Sequence, residues 1–220
     1  MKKILLGLAF AAALGATAHA DSDMYKVTIT NVTKGQVFAP VVVASHKPGA
    51  SIFIPGAAAS DALAALAEMG APDDLVALLD GAPGVKDVAH TGVLLPPGAS
   101  ATVYVKKARR VSIAGMLVST NDGFVGLNGV AGPREHRTAV YNAPAWDAGS
   151  ELNDELCANL PGPPCDPAGT NDHVDEVDGV VHIHNGIHGI GDLSAAERDW
   201  RNPVAVVYIS RVDGRKDDDD

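Results

Sequence analysis

Two segments of the chain concentrate side chains that carry oxygen donors. Residues 116–129 (MLVSTNDGFVGLNG) and 143–155 (APAWDAGSELNDE) are separated by 13 positions, and each sets carboxylates and amides in a Gly-containing stretch beside apolar runs. Asn121, Asp122, Asp147, Glu151, Asn153 and Asp154 can therefore bring oxygens to one edge of a β-fold. That chemistry suits a hard cation such as Ca²⁺, which takes about six to eight oxygen ligands. It points to a binding module before it points to an enzyme. The plainer account of the same residues is that Asp and Asn make turns, accepting hydrogen bonds from backbone N–H groups two residues on.

A second constellation lies in VHIHNGIHGIGDL, near the C-terminus. His182 and His184 are two apart on an expected strand and so share one face, and His188 follows in a Gly-rich turn. Three imidazoles in this pattern suit Zn²⁺ or Cu²⁺. With Asp192 or Glu176 added they describe the alternative to a Ca²⁺ module: a transition-metal protein or a metal-dependent enzyme that activates water. The plainer account is that the histidines bond loop carbonyls and hold nothing. The sequence has no G-x-S-x-G elbow, phosphate loop or plausible cysteine nucleophile. Asp122 with Asp147 or Glu151 would make a glycosidase-type acid pair, but only Phe124 and Trp146 lie near in sequence to offer a sugar an aromatic surface.

The elements that must position these residues are mostly strands. YKVTITNV (25–32) alternates, with Tyr25, Val27 and Ile29 on one face and Lys26, Thr28 and Thr30 on the other. Further strands are expected at 37–45, 100–107, 111–119, 137–142, 180–184 and 204–212, the last apolar at its start as an inner strand would be. Short β-rich runs between Pro/Gly turns predict a sandwich. Two helices interrupt the series: SDALAALAEMG (60–70), with Ser60 as N-cap and Gly70 as stop, and DDLVALLDG (73–81). They read as a small insertion, with Leu63, Leu66, Leu75, Leu78 and Leu79 as packing residues. Residues 147–177, rich in Gly, Pro, Asn and Asp, form the longest irregular stretch.

The chain opens MKKILLGLAFAAALGATAHA, with two lysines, a short apolar run and a small-x-small site, which predicts a signal peptide over 1–20 and export to a periplasm or beyond the cell. Its removal takes two lysines from a chain of formal charge −10, leaving −12. Nothing resembles a basic stripe for nucleic acid, and no later segment has the roughly 20 apolar residues of a transmembrane helix. Cys157 and Cys165 flank a Pro/Gly loop and are expected to form a disulfide in an exported protein. Residues 213–220, ending KDDDD, read as a solvated acidic tail.

The motifs YKVTITNVTKGQVFAPVVVASHKP, MLVSTNDGFVGLNGV, APAWDAGSELNDE, GVVHIHNGIHGIGDL and DWRNPVAVVYISRV, in this order, resemble the spondin N-terminal domain family. The resemblance implies one domain over 21–212, a C2-like antiparallel β-sandwich that binds Ca²⁺ at loops along one edge and serves adhesion outside the cell. By position it places the ligands on Asp122 of STND and on Asp147 and Glu151 of WDAGSE, with Asn153 and Asp154 as further candidates. The chain departs from the animal pattern where Gly123 replaces a tryptophan and where Glu151 replaces an aspartate. The function expected from the resemblance is Ca²⁺-dependent binding, in the envelope or outside the cell, to a protein, glycan or surface partner whose identity these residues do not specify.

Overall fold

Alternation decides the first strand. In β1 (Met24–Asn31) Tyr25, Val27 and Ile29 are buried while Lys26 is exposed, as the period of two requires. The computed structural model describes residues 23–135, 137–165 and 179–212. The expected signal peptide (1–20), the acidic tail (213–220), and residues 166–178 of the long irregular stretch, with Glu176, lie outside the described residues.

The chain then runs through β2 (Val42–His46), α1 (Asp61–Met69), α2 (Asp73–Leu79), β3 (Val85–His90), β4 (Ser100–Lys106), β5 (Arg110–Met116) and β6 (Gly123–Ala131). It continues with β7 (Thr138–Ala143), β8 (Ala145–Asp147), β9 (His182–Ile183), α3 (Ala195–Arg198) and β10 (Ala205–Val212). Two antiparallel sheets form, one ordered β4-β1-β10-β7 and the other β3-β2-β5-β6-β8-β9. The fold is an all-β sandwich with a small helical insertion, as expected. Strand β10 is an inner strand, paired on both sides by β1 and β7. Among the described residues no helix is long and apolar enough to cross a membrane.

One core fills the space between the sheets, with Val27, Ile29, Ile113, Val125, Val207 and Ile209 all fully buried. A second lies between α1, α2 and the outer face of the larger sheet, where Leu63, Leu66 and Leu75 pack with Phe53 and Phe124. Phe53 and Phe124 meet edge to face with ring centroids 5.1 Å apart. Helix α1 starts where Ser60 Oγ accepts the Leu63 N–H (3.3 Å) and stops at Gly70, whose φ of +68° returns its N–H to the Leu66 carbonyl (2.9 Å). Leu78 departs from the packing expectation: it is 53% exposed, because the short α2 turns only Leu75 and Leu79 inward.

Three strands escape a period-two reading. Strand β6 is the most telling: α1 covers one face and the smaller sheet the other, so residues 123–127 are all buried and no alternation survives. Its glycines serve close packing, since a Cβ at Gly126 would come within 2.9 Å of Trp146 and 3.0 Å of Phe53. Strands β3 and β8 carry weak patterns because one lies at an edge and the other spans three residues. The strand expected at 37–45 begins only at Val42. Pro40 has no N–H for a ladder, and the preceding segment makes isolated bridges from Phe38 to Leu95 and Leu117. The strand expected at 111–119 ends at Met116, ahead of a turn with Ser119 at φ +64°.

Candidate metal centre

The turn joining β5 to β6 closes on its own backbone and on one hydroxyl. Leu117 donates its N–H to the Gly123 carbonyl (2.8 Å), and Thr120 Oγ1 accepts the Gly123 N–H (2.9 Å). Asn121 and Asp122 are thereby carried at the end of the sandwich, both buried. Cross-strand pairing sets Gly123 opposite Asp147 and Asp147 opposite His182. The two acidic segments, 25 residues apart between Asp122 and Asp147, become neighbours through β6 and β8.

The segment after Asp147 wraps around Asp122. Its Oδ2 accepts the backbone N–H groups of Ser150 (2.7 Å) and Glu151 (3.1 Å) and the Ser150 hydroxyl (3.3 Å), and its carbonyl accepts the Ala148 N–H (3.1 Å). Asp147 turns the chain: Oδ1 accepts the Gly149 N–H (2.8 Å), and Oδ2 accepts the Asn153 amide (2.6 Å). Gly149 is required at this point. Its φ is +68°, and a Cβ there would stand 2.4 Å from the Val180 carbonyl oxygen. The turn-forming account of these acids is thus realised, but it leaves charge over. Asp122 Oδ1 has no hydrogen-bond partner among the described residues. Neither Asp122 nor Asp147 has a lysine or arginine within ion-pairing distance among them.

Electrostatics register that arrangement. Burial, and secondarily the Asp147 charge, push the Asp122 carboxyl up to about 7. Burial first, then Glu68, Asp122 and Asp154, push Glu151 up to about 8. Glu68 belongs to α1, so the helical insertion adds its own negative charge to the site. Asp154 faces the same end but is engaged: it accepts hydrogen bonds from the amides of Asn121 (3.2 Å) and Asn159 and from the Leu156 N–H (3.0 Å).

Asp122, Asp147, Glu151, Asn153 and Asp154 therefore lie at one end of the sandwich, where Asp122 accepts the Glu151 N–H, Asp147 accepts the Asn153 amide, and Asp154 accepts the amide of Asn121, the neighbour of Asp122. Among the described residues no three His, Cys, Asp or Glu side chains converge as a finished metal cage. The donor set fits a hard cation in kind, being made of carboxylate and amide oxygens at which buried negative charge is left over.

The three histidines have different hydrogen-bond partners. His182 Nδ1 lies 3.1 Å from the Val180 carbonyl and 3.8 Å from Asp147 Oδ1. His188 is exposed, its Nε2 3.2 Å from the Asn185 carbonyl. His184 is buried against Trp200, ring centroids 5.0 Å apart, and its Nδ1 accepts the Gly186 N–H (3.0 Å). An Nδ1 that accepts leaves the proton on Nε2, and that buried nitrogen meets no hydrogen-bond partner among the described residues. Burial holds His184 neutral, pushing it down to about 4 against the upward pull of Asp147. The same ring explains Gly123: a Cβ there would lie 2.9 Å from His184 Cδ2 and 2.6 Å from Thr120 Oγ1, so no side chain fits.

Sequence reasoning missed Glu155. It is buried at φ +56°, and its carboxylate accepts three consecutive backbone N–H groups, from His188 (2.5 Å), Gly189 (2.7 Å) and Ile190 (3.0 Å). Gly191 is the only available signal, because a Cβ there would meet the Glu155 carbonyl oxygen at 2.4 Å. Cys157 and Cys165 form the expected disulfide (S–S 2.07 Å) just beyond. Arg201 pairs with Asp199, and Asn202 Oδ1 accepts the Ala145 N–H (2.8 Å), so this corner is structural. Comparison of the chain with protein-family models and with curated proteins finds no match.

Proposed function

We propose that this chain is an exported β-sandwich module of the spondin N-terminal type that binds Ca²⁺ at the end of the sandwich formed by the β5–β6 turn and the segment after β8. Asp122, Asp147 and Glu151 are the side-chain ligands in this reading, and Asn153 and Asp154 orient the loop around them. One observation carries it. Asp122 is fully buried beside a second buried carboxylate, with no lysine or arginine near either and with Oδ1 meeting no donor among the described residues. A buried carboxylate left in that state costs several kcal/mol unless a cation balances it or it takes up a proton.

Bound there, Ca²⁺ would supply the positive charge that no described lysine or arginine brings within ion-pairing distance of Asp122 or Asp147. The chain's own residues do the positioning. The N–H groups of Ser150 and Glu151 hold Oδ2 of Asp122 and so orient Oδ1, and the Asn153 amide fixes Asp147. Backbone carbonyls and water complete a coordination shell that three side chains cannot fill. The biological consequence in this reading is Ca²⁺-dependent recognition of an extracellular or envelope partner by loops that would otherwise repel one another.

A melting titration tests it. Protein stripped with EDTA should gain several degrees on Ca²⁺ addition, and Asp147→Ala should abolish the gain. Absence of any Ca²⁺ response in the intact chain overturns the proposal. So does stoichiometric zinc or copper in protein purified without a His tag, if His184→Ala removes it.

A further inference from the structure

The opposite end of the sandwich carries the reverse charge. Strand β5 runs from Arg110 to Met116, about 20 Å at roughly 3.3 Å per residue, and separates the acidic loops from a cluster of cations. There the edge strands β3 and β4 of the two sheets lie side by side, joined where Asp87 Oδ2 accepts the Lys106 N–H (2.6 Å). They flank an open cleft of about 850 Å³ whose described lining holds five cations, Lys47, Lys86, Lys106, Lys107 and Arg109, and a single carboxylate, Asp23. Asp23 is already taken by Lys107 (3.0 Å) and Arg211 (2.7 Å). Lys47, Lys86, Lys106 and Arg109 are exposed and have no ion-pair partner among the described residues.

We propose that this cleft is an anion site for a multiply charged phosphate group, a diphosphate or a phosphorylated headgroup. Three features carry the assignment. The cations come from sequence positions as far apart as 47 and 109 and from both sheets, so only the fold assembles them, against their mutual repulsion, in a chain whose formal charge is −10. Lys86 on β3 and Lys106 on β4 come from different sheets whose edges meet at the Asp87–Lys106 hydrogen bond, and five cations against one already paired carboxylate suit a multiply charged anion better than a single carboxylate. Pro48 and Ala108 share the lining with the lysine stems, giving the cleft apolar wall beneath a charged rim. The acidic end interacts only weakly with this site, because about 20 Å is roughly two and a half times the ~8 Å screening length at physiological ionic strength.

The test uses the full chain in EDTA, so that no Ca²⁺ bridges protein to probe. Calorimetric titration with inorganic pyrophosphate should show saturable binding that weakens as NaCl rises. The double reversal Lys86→Glu/Lys106→Glu should lower affinity by about tenfold or more, since two charge-assisted contacts are replaced by repulsion. Lys34→Gln, which removes an exposed lysine outside the cleft lining, should bind as the wild type does. Should the double reversal fail to fold by its melting curve, Lys47→Gln/Arg109→Gln carries the same expectation at lower charge change. Co-sedimentation with phosphatidylcholine vesicles, with and without phosphatidic acid, separates the sources: retention on the acidic vesicles alone assigns a lipid headgroup, and pyrophosphate binding without retention assigns a free phosphate compound. Either result upholds the site. No binding of either probe overturns it, as does binding that the cleft variants leave unchanged or that Lys34→Gln lowers equally.

Discussion

Replacing Asp122 by Asn should move stability in opposite directions with and without Ca²⁺. The side chain is fully buried, and its carboxyl is pushed up to about 7 by burial and then by Asp147. An acid whose folded pKa lies above its unfolded value binds its proton more tightly when folded, so folding loses stability as pH rises from the unfolded value of 3.8 through 7. Roughly three pKa units at about 1.4 kcal/mol each set a ceiling of about 4 kcal/mol on that cost above pH 7. Asn keeps an oxygen for the Ser150 and Glu151 N–H groups while discarding the charge. In EDTA at pH 8 the variant should therefore be the more stable protein, by about 1–3 kcal/mol, or roughly 3–10 °C in Tm for a chain of this size. Ca²⁺ at a hundred times its Kd should add about 2.7 kcal/mol to the wild type and nothing to the variant. Scanning calorimetry of both proteins, each with EDTA and with Ca²⁺, reads the crossing directly. A variant that melts below the wild type in EDTA and still gains on Ca²⁺ addition refutes the reasoning.

Glu155→Ala should cost about 3–5 kcal/mol in urea unfolding, because three backbone N–H groups lose a charged acceptor, and Glu155→Gln should recover part of it. His184 is held at about 4 from 6.5, so the stability it contributes is complete above pH 6.5 and is lost as pH falls toward 4. This slope opposes that of Asp122 in the same window, so EDTA-treated Asp122→Asn should lose more stability than the wild type between pH 6.5 and 4, measured by thermal melts across pH. Gly149→Ala should destabilise by about 2 kcal/mol or more, since the added Cβ meets the Val180 carbonyl in a left-handed turn; a melt within a degree of wild type would contradict this. Removing the disulfide with Cys157→Ser should cost about 2.5 kcal/mol by loop closure, read from chemical unfolding with and without reductant.

Local pattern was legible wherever an element meets solvent on one side. Strand β1 alternates because its outer face is wet, and α1 announces itself through Ser60 and Gly70 because capping depends on residues within one turn. Strand β6 was not legible, since burial on both faces erases the period that marks a strand. The site divides the same way. Asp122, Asp147 and Glu151 stand out as acids in glycine-bearing turns, whereas Glu155 looks like any loop glutamate until the nest at 188–190 folds onto it.

The sequence by itself determined the sandwich class, the helical insertion and which segments bear the acids, because these follow from side-chain type and spacing within a few residues. Only the tertiary structure decided that Asp122 and Asp147 would be buried together and that Glu68 would add its charge. It also buried His184 against Trp200 and gathered lysines from both sheets at the far end. The physical reason is that burial, unmet hydrogen bonds and charge balance depend on which distant segments meet, and that is set by strand order and register.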